Sequence, residues 1–356
     1  MNQKEKELFK KLCSFKSDSF DKGLLEAATP AVLGYLFFNR MQAIAYGMLN
    51  RFGLAEGVNR EFRNSLKAAY LQNIEKNRSF FSCVEYLFSL LSELENPYAF
   101  LKGAYLCRLY PEGYRTSNDI DLLVLPKDVT KIGEILLNAG FKQGKIKGGA
   151  FIPALRKEII ESRMLRGETV PFVKRVELPG MQFLEVDINF SVDCKPEESD
   201  LVSRMLYYTA VRENADYRVR TLRKDDFFVH LCAHLYKEAA MLPWVEMKRD
   251  MTLYKYCDIY TLLNGISKEN VDFLFDRAKL LNMEKICAFA VYQTAALFEF
   301  DNAYAIRLSE AILGSDPDFV HTVVSPKDKK KFIFTEKDIL NRFFSDNRKE
   351  LLREVI

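Results

Sequence analysis

Two aspartates stand two residues apart at the start of an apolar run, residues 119–124 (DIDLLV). Side chains alternate faces along a β-strand, so Asp119 and Asp121 point to one side and the apolar residues to the other. Like charges repel, and partial burial adds several kcal/mol per ion. The run therefore predicts a strand that holds a divalent cation between its carboxylates. A solvated edge strand is the alternative, and an EF-hand loop is disfavoured because its glycine and distal glutamate are absent.

A second run with the same alternation follows at residues 183–190 (FLEVDINF). It places Glu185, Asp187 and Asn189 on one face and apolar residues on the other. If this strand neighbours the first with the polar faces aligned, three carboxylates converge. That geometry suits two Mg²⁺ ions roughly 3.5–4 Å apart, although a solvated sheet face shows the same alternation.

The tripeptide Lys102-Gly103-Ala104 reads as a strand-to-helix junction with small side chains. Backbone N–H groups at such a junction can hold phosphate oxygens, and a glycine lets the ligand approach closely. By itself this motif is weak evidence, because a single glycine at a turn is usually structural.

The surrounding pattern predicts an α+β fold in which a small mixed β-sheet is flanked by helical regions. The expected domains are a helical region at 1–96, a mixed core at 97–195 and a second helical region at 196–356. Within these regions the pattern predicts one or two helices over 58–94 and a charged last helix over 336–352. In the core it predicts a helix at 104–110, strands at 119–125, 141–145, 173–178 and 181–190, a helix at 129–139, and a surface loop at 144–149 whose alternative is a lid.

Charge, cysteine spacing and apolar segments indicate which classes of protein this chain can belong to. Lys and Arg total 52 against 49 for Asp and Glu, a net charge of +3, which does not support nucleic-acid binding and does not exclude it. The cysteines form no C-x-x-C pair and favour reduced thiols in a cytoplasmic protein. The N-terminus lacks the apolar segment of a signal peptide, and 31–49 is predicted as a buried helix rather than a membrane span. The seven cysteines are Cys13, Cys83, Cys107, Cys194, Cys232, Cys257 and Cys287.

A glycine turn, a helix, a D-x-D strand and a later strand with one aspartate follow one another in the order of the nucleotidyltransferase fold associated with DNA polymerase β. The details resemble a bacterial group of uncharacterised nucleotidyltransferases, most firmly over 98–190. The motifs that carry this resemblance are Leu101-Lys102-Gly103, Arg115-x-Ser117-x-Asp119-Ile120-Asp121, Leu231-x-x-His234 and Leu253-x-Lys255-x-x-Asp258-Ile259. The chain departs from the wider superfamily at Ala104, where Gly or Ser is common, so a hydroxyl contact to phosphate is missing there.

The resemblance implies a reaction and a set of metal ligands. Asp119 and Asp121 would bind both metals, and Asp187 would bind the metal nearest the acceptor and help to deprotonate its hydroxyl. The acceptor would attack the α-phosphorus of an NTP in line and release pyrophosphate. The implied cofactor is Mg²⁺, with Mn²⁺ as the alternative cation, and the NTP is the co-substrate.

The resemblance also implies a nucleotide-binding set, and each member has a structural alternative. Arg115 could pair with an acid, Ser117 could cap its loop, and Lys255 could pair with Asp258 within one helix. The expected nucleotide-binding residues are Lys102, Gly103, Ala104 through its N–H, Arg115, Ser117, Lys255 and Asp258.

The sequence leaves the roles of three further polar residues undecided. His230 and His234 lie one helical turn apart, and packing within a helix is favoured over a zinc pair because no third ligand is evident. Glu185 shares the face of Asp187 and would be a neighbour of the metals or a solvated residue.

The leading hypothesis is an active Mg²⁺-dependent nucleotidyltransferase that acts on a hydroxyl of a small molecule or a protein. One alternative is a catalytically silent module of the same fold that binds nucleotide or a partner, and another is a toxin-type enzyme that modifies tRNA. A metal phosphohydrolase is disfavoured because the chain has only three histidines. The sequence predicts neither the acceptor nor the oligomeric state.

Overall fold

The computed structural model of the chain describes residues 1–192, 200–214 and 217–355. Cys194 and the predicted domain boundary at 195–196 lie outside the described residues. Helices and a mixed β-sheet make up the fold, so the predicted α+β class is confirmed. Among the described residues, none of the helices combines the length and the apolar character that a membrane crossing needs.

The α-helices are Gln3–Cys13 (α1), Pro30–Phe38 (α2), Gln42–Arg51 (α3), Arg60–Leu90 (α4), Gly103–Leu106 (α5), Val129–Asn138 (α6), Arg156–Arg166 (α7), Leu201–Leu206 (α8), Lys224–Ala239 (α9), Leu242–Glu246 (α10), Leu253–Leu263 (α11), Lys268–Leu280 (α12), Glu284–Leu297 (α13), Ala303–Leu313 (α14) and Ile339–Phe343 (α15). Short 3₁₀ turns span Lys22–Ala27, Ala55–Gly57, Pro126–Asp128, Pro317–His321 and Arg348–Leu351. The segment predicted as one helix or two over 58–94 is thus a single helix, α4.

The strands form two sheets. They are Tyr98–Phe100 (β1), Asp119–Val124 (β2), Lys142–Lys147 (β3), Ala150–Pro153 (β4), Phe172–Leu178 (β5), Met181–Asn189 (β6), Thr209–Asn214 (β7), Tyr217–Leu222 (β8), Thr322–Val324 (β9), Lys331–Phe334 (β10) and Leu352–Val355 (β11).

The chain divides into two compact units. One contains residues 71–227, and the other combines 1–70 with 228–356. The first unit holds the large sheet, and the second holds most of the helices together with the small sheet. The predicted three-part division of the chain stays a prediction.

The large sheet of the 71–227 unit has the order β4-β3-β5-β6-β2-β1-β8-β7. β2 pairs with β1 in antiparallel fashion and with β6 in parallel fashion. β1 in turn pairs with β8 in parallel fashion through Phe100 and Thr221. The aspartate-bearing strand β2 therefore lies inside the sheet, and the edge-strand alternative is wrong.

The apolar face of β2 and β6 forms the core of this unit. Ile120 and Leu122 on β2 pack with Val186 and Ile188 on β6, and Phe80 on α4 belongs to the same buried cluster. Each of these four strand residues is fully shielded from solvent, and full burial of such a side chain contributes roughly 1.5–3 kcal/mol. This packing holds the opposite, polar face of the two strands in a fixed register.

Residues 144–149, predicted as a surface loop, instead form the last four residues of a strand and the turn of a β-hairpin. β3 and β4 pair in antiparallel fashion, and the two-residue connection is Gly148-Gly149. Both glycines have positive φ, at 59° and 77°, as a type I′ hairpin turn requires. The prediction missed the hairpin because the charged residues of β3 show little apolar alternation.

The end of the chain also differs from prediction, since 336–352 is not one helix. α15 ends at Phe343, and after the 3₁₀ turn the chain enters β11, which pairs with β10. Arg348 is buried and binds Asp250 through Nε and Nη2 at 2.8–3.0 Å. A buried charge pair between residues 98 positions apart overrides the local helical pattern, because breaking such a pair costs about 3–5 kcal/mol.

Candidate active site

The polar faces of β2 and β6 align in register. Asp119 lies opposite Glu185, and Asp121 lies opposite Asp187. Partners in such a ladder sit about 4.8 Å apart between neighbouring strands, so two of the predicted catalytic carboxylates are side by side. The expectation that the two strands are neighbours with aligned polar faces is confirmed.

A lysine supplies the counter-charge in this cluster. The Nζ of Lys102 lies 2.7 Å from Oδ1 of Asp121, whose side chain is only 5% exposed. Burial alone would lower the pKa of Lys102, but the carboxylates of Asp121, Asp119 and Asp187 outweigh it and raise that pKa above its usual value. Lys102 is therefore a charged residue held within an acidic pocket.

Burial and mutual repulsion act on the acids in the opposite sense. Burial raises the pKa of Asp121, and Asp119 adds to this rise while Lys102 opposes it. Burial has the largest effect on Asp187 and, together with the charges of Asp121 and Asp119, raises its pKa well above the ordinary value. Burial and Asp119 likewise raise the pKa of Glu185. The site thus carries more negative charge than Lys102 alone offsets.

Carboxylate oxygens are the ligands that Mg²⁺ prefers, so the donor chemistry of Asp119, Asp121 and Asp187 suits this ion. In the conformation described, however, the 1–192, 200–214 and 217–355 segments contain no group of three or more His, Cys, Asp or Glu side chains arranged to hold a metal. The ammonium of Lys102 binds Oδ1 of Asp121 in this arrangement.

The glycine turn packs directly against the segment that precedes β2. A Cβ atom on Gly103 would overlap both Cβ and Oγ of Ser117, so this position needs glycine for a close approach. The N–H of Ala104 is bonded to the carbonyl of Leu101 at 3.3 Å and is therefore engaged within the turn. The helix that follows, α5, has four residues and is shorter than the predicted 104–110.

The backbone at Lys102 is strained. Its φ is 41°, in a region that residues other than glycine rarely adopt, at a cost of roughly 1–3 kcal/mol. The Lys102 carbonyl accepts from the N–H groups of Tyr105 and Leu106 at 3.1 and 2.7 Å. These bonds and the Asp121 contact hold the residue in this conformation, and strain of this kind concentrates at functional sites.

The loop before β2 is organised by its own polar contacts. Ser117 donates to Oδ1 of Asp119 at 3.0 Å, and Arg115 donates to the carbonyl of Thr116. Asn77 on α4 donates to the carbonyl of Arg115 at 2.9 Å. Arg115 and Ser117 are both largely buried, so these bonds fix the loop. Their predicted roles in phosphate binding stay predictions.

Two polar residues beside the acids were not in the predicted set. Asn189 donates to Oδ1 of Asp121 at 3.4 Å and so orients that carboxylate. Glu168 pairs with Asn189 through an isolated antiparallel bridge and is close enough to raise the pKa of Asp187. The alternation along β6 already placed Asn189 on the right face, but nothing in the sequence indicated Glu168.

Lys255 and Asp258 belong to the unit of 1–70 and 228–356, whereas the other predicted site residues belong to the 71–227 unit. Both lie on α11, where Lys255 pairs with Glu238 of α9. Glu238 also contacts Nε2 of His234 at 3.3 Å, and His230 is buried on the same helix. The assignment of Lys255 and Asp258 to nucleotide binding stays a prediction.

Comparison with known proteins finds one matching family and a distant structural neighbour. A family described as uncharacterised nucleotidyltransferases matches residues 27–299. A structural neighbour is a crystal structure of an antigenic nucleotidyltransferase-like protein from Paracoccidioides brasiliensis, with 12% identity, a TM-score of 0.34, and coverage of 67% of this chain and 88% of that one. No curated protein matches this chain.

Proposed function

Because the chain belongs to the family of uncharacterised nucleotidyltransferases, we propose that it transfers a nucleoside monophosphate from an NTP to a hydroxyl acceptor in a Mg²⁺-dependent reaction. The acceptor oxygen would form a bond to the α-phosphorus. The bond from that phosphorus to the bridging oxygen would break, and pyrophosphate would leave with the bonding electrons.

Residues of the 71–227 unit would have separate roles in this reaction. Asp119, Asp121 and Asp187 would hold the metal, and when bound it would stabilise charge on the attacking and leaving oxygens. Asp187 would also accept the proton of the acceptor hydroxyl. Asn189 would keep the Asp121 carboxylate oriented through its bond at 3.4 Å.

Lys102 would have two positions. In the one described here its ammonium lies on Asp121 and lowers the repulsion among the acids. In the other, its ammonium would reach the triphosphate, where a flexible point charge is a common phosphate ligand. Gly103 beside it lets Ser117 pack closely against the turn that holds this lysine.

The observation that carries this proposal is the parallel register of β2 and β6, which puts Asp121 beside Asp187. The test is incubation of the protein with each α-labelled NTP, Mg²⁺ and a cell extract. Label on a small molecule, a protein or RNA would identify the acceptor class, and Asp119→Asn should abolish it. Absence of label with all NTPs would count against the proposal.

A second candidate is a catalytically silent module that binds nucleotide. It is favoured by the Lys102–Asp121 contact and by the absence, within the described segments, of a metal-binding group. Titration calorimetry with Mg²⁺-NTP separates the two. A silent module would bind equally well with Asp119→Asn, whereas an enzyme that holds Mg²⁺-NTP through this acid would bind at least about tenfold more weakly.

A further inference from the structure

A cavity adjoins the acidic site within the 71–227 unit. It has a volume of about 530 Å³, and Asp187 forms part of its wall. The rest of the wall comes from the β3–β4 hairpin, α7 and the segment that leads into β5. A volume of this size is typical of sites for small molecules, which span roughly 300–1,000 Å³. Its position beside Asp187 makes it a candidate place for the group that is modified.

The charge of the lining is predominantly negative. Glu158 and Glu161 face the cavity from α7 and join Glu168 and Asp187 in its wall, which therefore carries four carboxylates. The cations of the lining are Lys145 and Arg166. The acidic residues of the wall therefore outnumber its basic residues by two.

The ion pairs at the rim are loose. Lys145 and Glu158 are 3.5 Å apart, and Arg166 and Glu168 are 3.8 Å apart. Glu161 pairs at 3.6 Å with Lys157, an exposed residue outside the lining. Exposed pairs of this length contribute little, about 0–1 kcal/mol, so a ligand cation could compete for these carboxylates.

The helix spacing explains why the acids share one wall. Glu158, Glu161 and Leu165 lie at positions i, i+3 and i+7 of α7, which is one face of a helix. Leu165 is 70% exposed, and Ile152 on the hairpin is 38% exposed; both line the cavity. The wall therefore combines carboxylates with exposed apolar side chains.

From this lining we infer that the cavity binds the acceptor, and that the acceptor is a small hydroxyl compound that also carries protonated amines. This inference rests on the proposed function for the transfer step. The hydroxyl oxygen would attack the α-phosphorus, its proton would pass to the Asp187 carboxylate, and pyrophosphate would leave. The amines would bind the glutamates, and a nucleic acid would be repelled by the same charges.

Binding can be measured without nucleotide or metal, so it does not depend on catalysis. The probe is the trimer of glucosamine, compared with its fully N-acetylated form, which keeps the ring hydroxyls and loses the charges. Calorimetry at slightly acidic pH, where the amines are charged, should show at least about tenfold tighter binding of the amine form to the full chain.

Charge reversal identifies the cavity as the site. Glu161→Lys should weaken binding of the glucosamine trimer about tenfold, whereas Glu134→Lys, an exposed site on α6 outside the lining, should leave it unchanged. Glu161 is itself exposed, so the fold should persist; circular dichroism checks this, and Glu161→Gln provides the milder variant. Equal binding of the two trimers, or indifference to both Glu161 variants, would overturn the inference.

Label transfer separates this inference from the proposed function. The same α-labelled NTPs are offered with the glucosamine trimer, its acetylated form and tRNA. Label on the amine form alone supports both ideas, and label on tRNA sinks the cavity inference while the transferase proposal stands. If the charge-dependent binding is seen but no label appears on these acceptors or in the cell-extract assay, the cavity stands as a binding site and the transferase proposal fails.

Discussion

Replacement of Lys102 by methionine tests whether a lysine stabilises the acidic site. At 2.7 Å from Asp121, the gross attraction is about 6 kcal/mol at an effective dielectric constant of about 20. Burial of the charges offsets several kcal/mol of this. Loss of the lysine also leaves Asp121 unpaired in a buried position, for which breaking one partner costs about 3–5 kcal/mol. We expect Lys102→Met to lower the free energy of unfolding by about 3 kcal/mol.

The assay is urea unfolding at neutral pH without divalent metal. A matched control is Lys174→Met, because Lys174 is a half-buried lysine of the same unit whose ammonium binds the Tyr86 hydroxyl and the Ala139 carbonyl, both at 2.9 Å. That substitution leaves no carboxylate behind, so its cost should be clearly smaller.

The stability deficit of Lys102→Met should also depend on pH and on Mg²⁺. The pKa of Asp121 and that of Asp187 are raised in the fold, so the variant's acids become neutral as the pH falls and the deficit should shrink in acid. Mg²⁺ at about 100 times its dissociation constant should restore about 2.7 kcal/mol. Equal stability of Lys102→Met and wild type, or a deficit no larger than that of the control, would refute the reasoning.

Three other tests have defined outcomes. Gly103→Ala should destabilise the 71–227 unit by about 1–3 kcal/mol, and Ser117→Gly in the same chain should recover part of that loss in thermal unfolding, because it removes the overlapping atoms. Burial and, to a lesser extent, the charge of Arg342 lower the pKa of His321 to about 4. Between pH 6.5 and 4 the unfolded state therefore binds a proton that the folded state does not, and stability falls by about 2–3 kcal/mol as the pH drops through that window. His321→Gln should remove this loss of stability in acid, and an unchanged pH dependence would contradict the assignment of the loss to His321. Asp187→Asn should stabilise the metal-free protein by about 0.5–2 kcal/mol at neutral pH, since it removes a charge that burial disfavours; a loss of stability in chemical unfolding would contradict this.

The acidic face of the site was predictable because strand periodicity is local. Once Asp119 and Asp121 flank an apolar residue, their shared face follows, and the same holds for Glu185 and Asp187. Pairing of β2 with β6 in register was an expectation rather than a consequence of this pattern, since residues more than 60 positions apart must meet.

The position of the Lys102 ammonium was not predictable. It depends on a positive φ at a residue other than glycine, and sequence patterns do not indicate such strain. The hairpin at 144–149 was missed for a related reason, because Gly148 and Gly149 were read as a loop rather than as the turn between two polar strands.

The C-terminal segment shows how distant contacts defeat local patterns. Residues 336–352 have helical composition, yet Asp338 caps only the short helix α15 through a bond to the Asn341 N–H at 2.6 Å. Arg348 then turns inward to Asp250. The spacing of nearby residues predicts neither the end of α15 nor the pairing of Arg348 with Asp250.

The parallel contact between β1 and β8 has a consequence for biosynthesis. Phe100 and Thr221 pair across the sheet, and the Thr221 hydroxyl donates to the Phe100 carbonyl at 2.9 Å. During translation the acidic strands can pair as soon as β6 has left the ribosome, but one side of β1 has no neighbour until β8 follows. Until then β1 presents unpaired backbone groups, and such an edge is a template for aggregation. Nascent chains that stall between these two strands are the forms that we expect to depend most on chaperones.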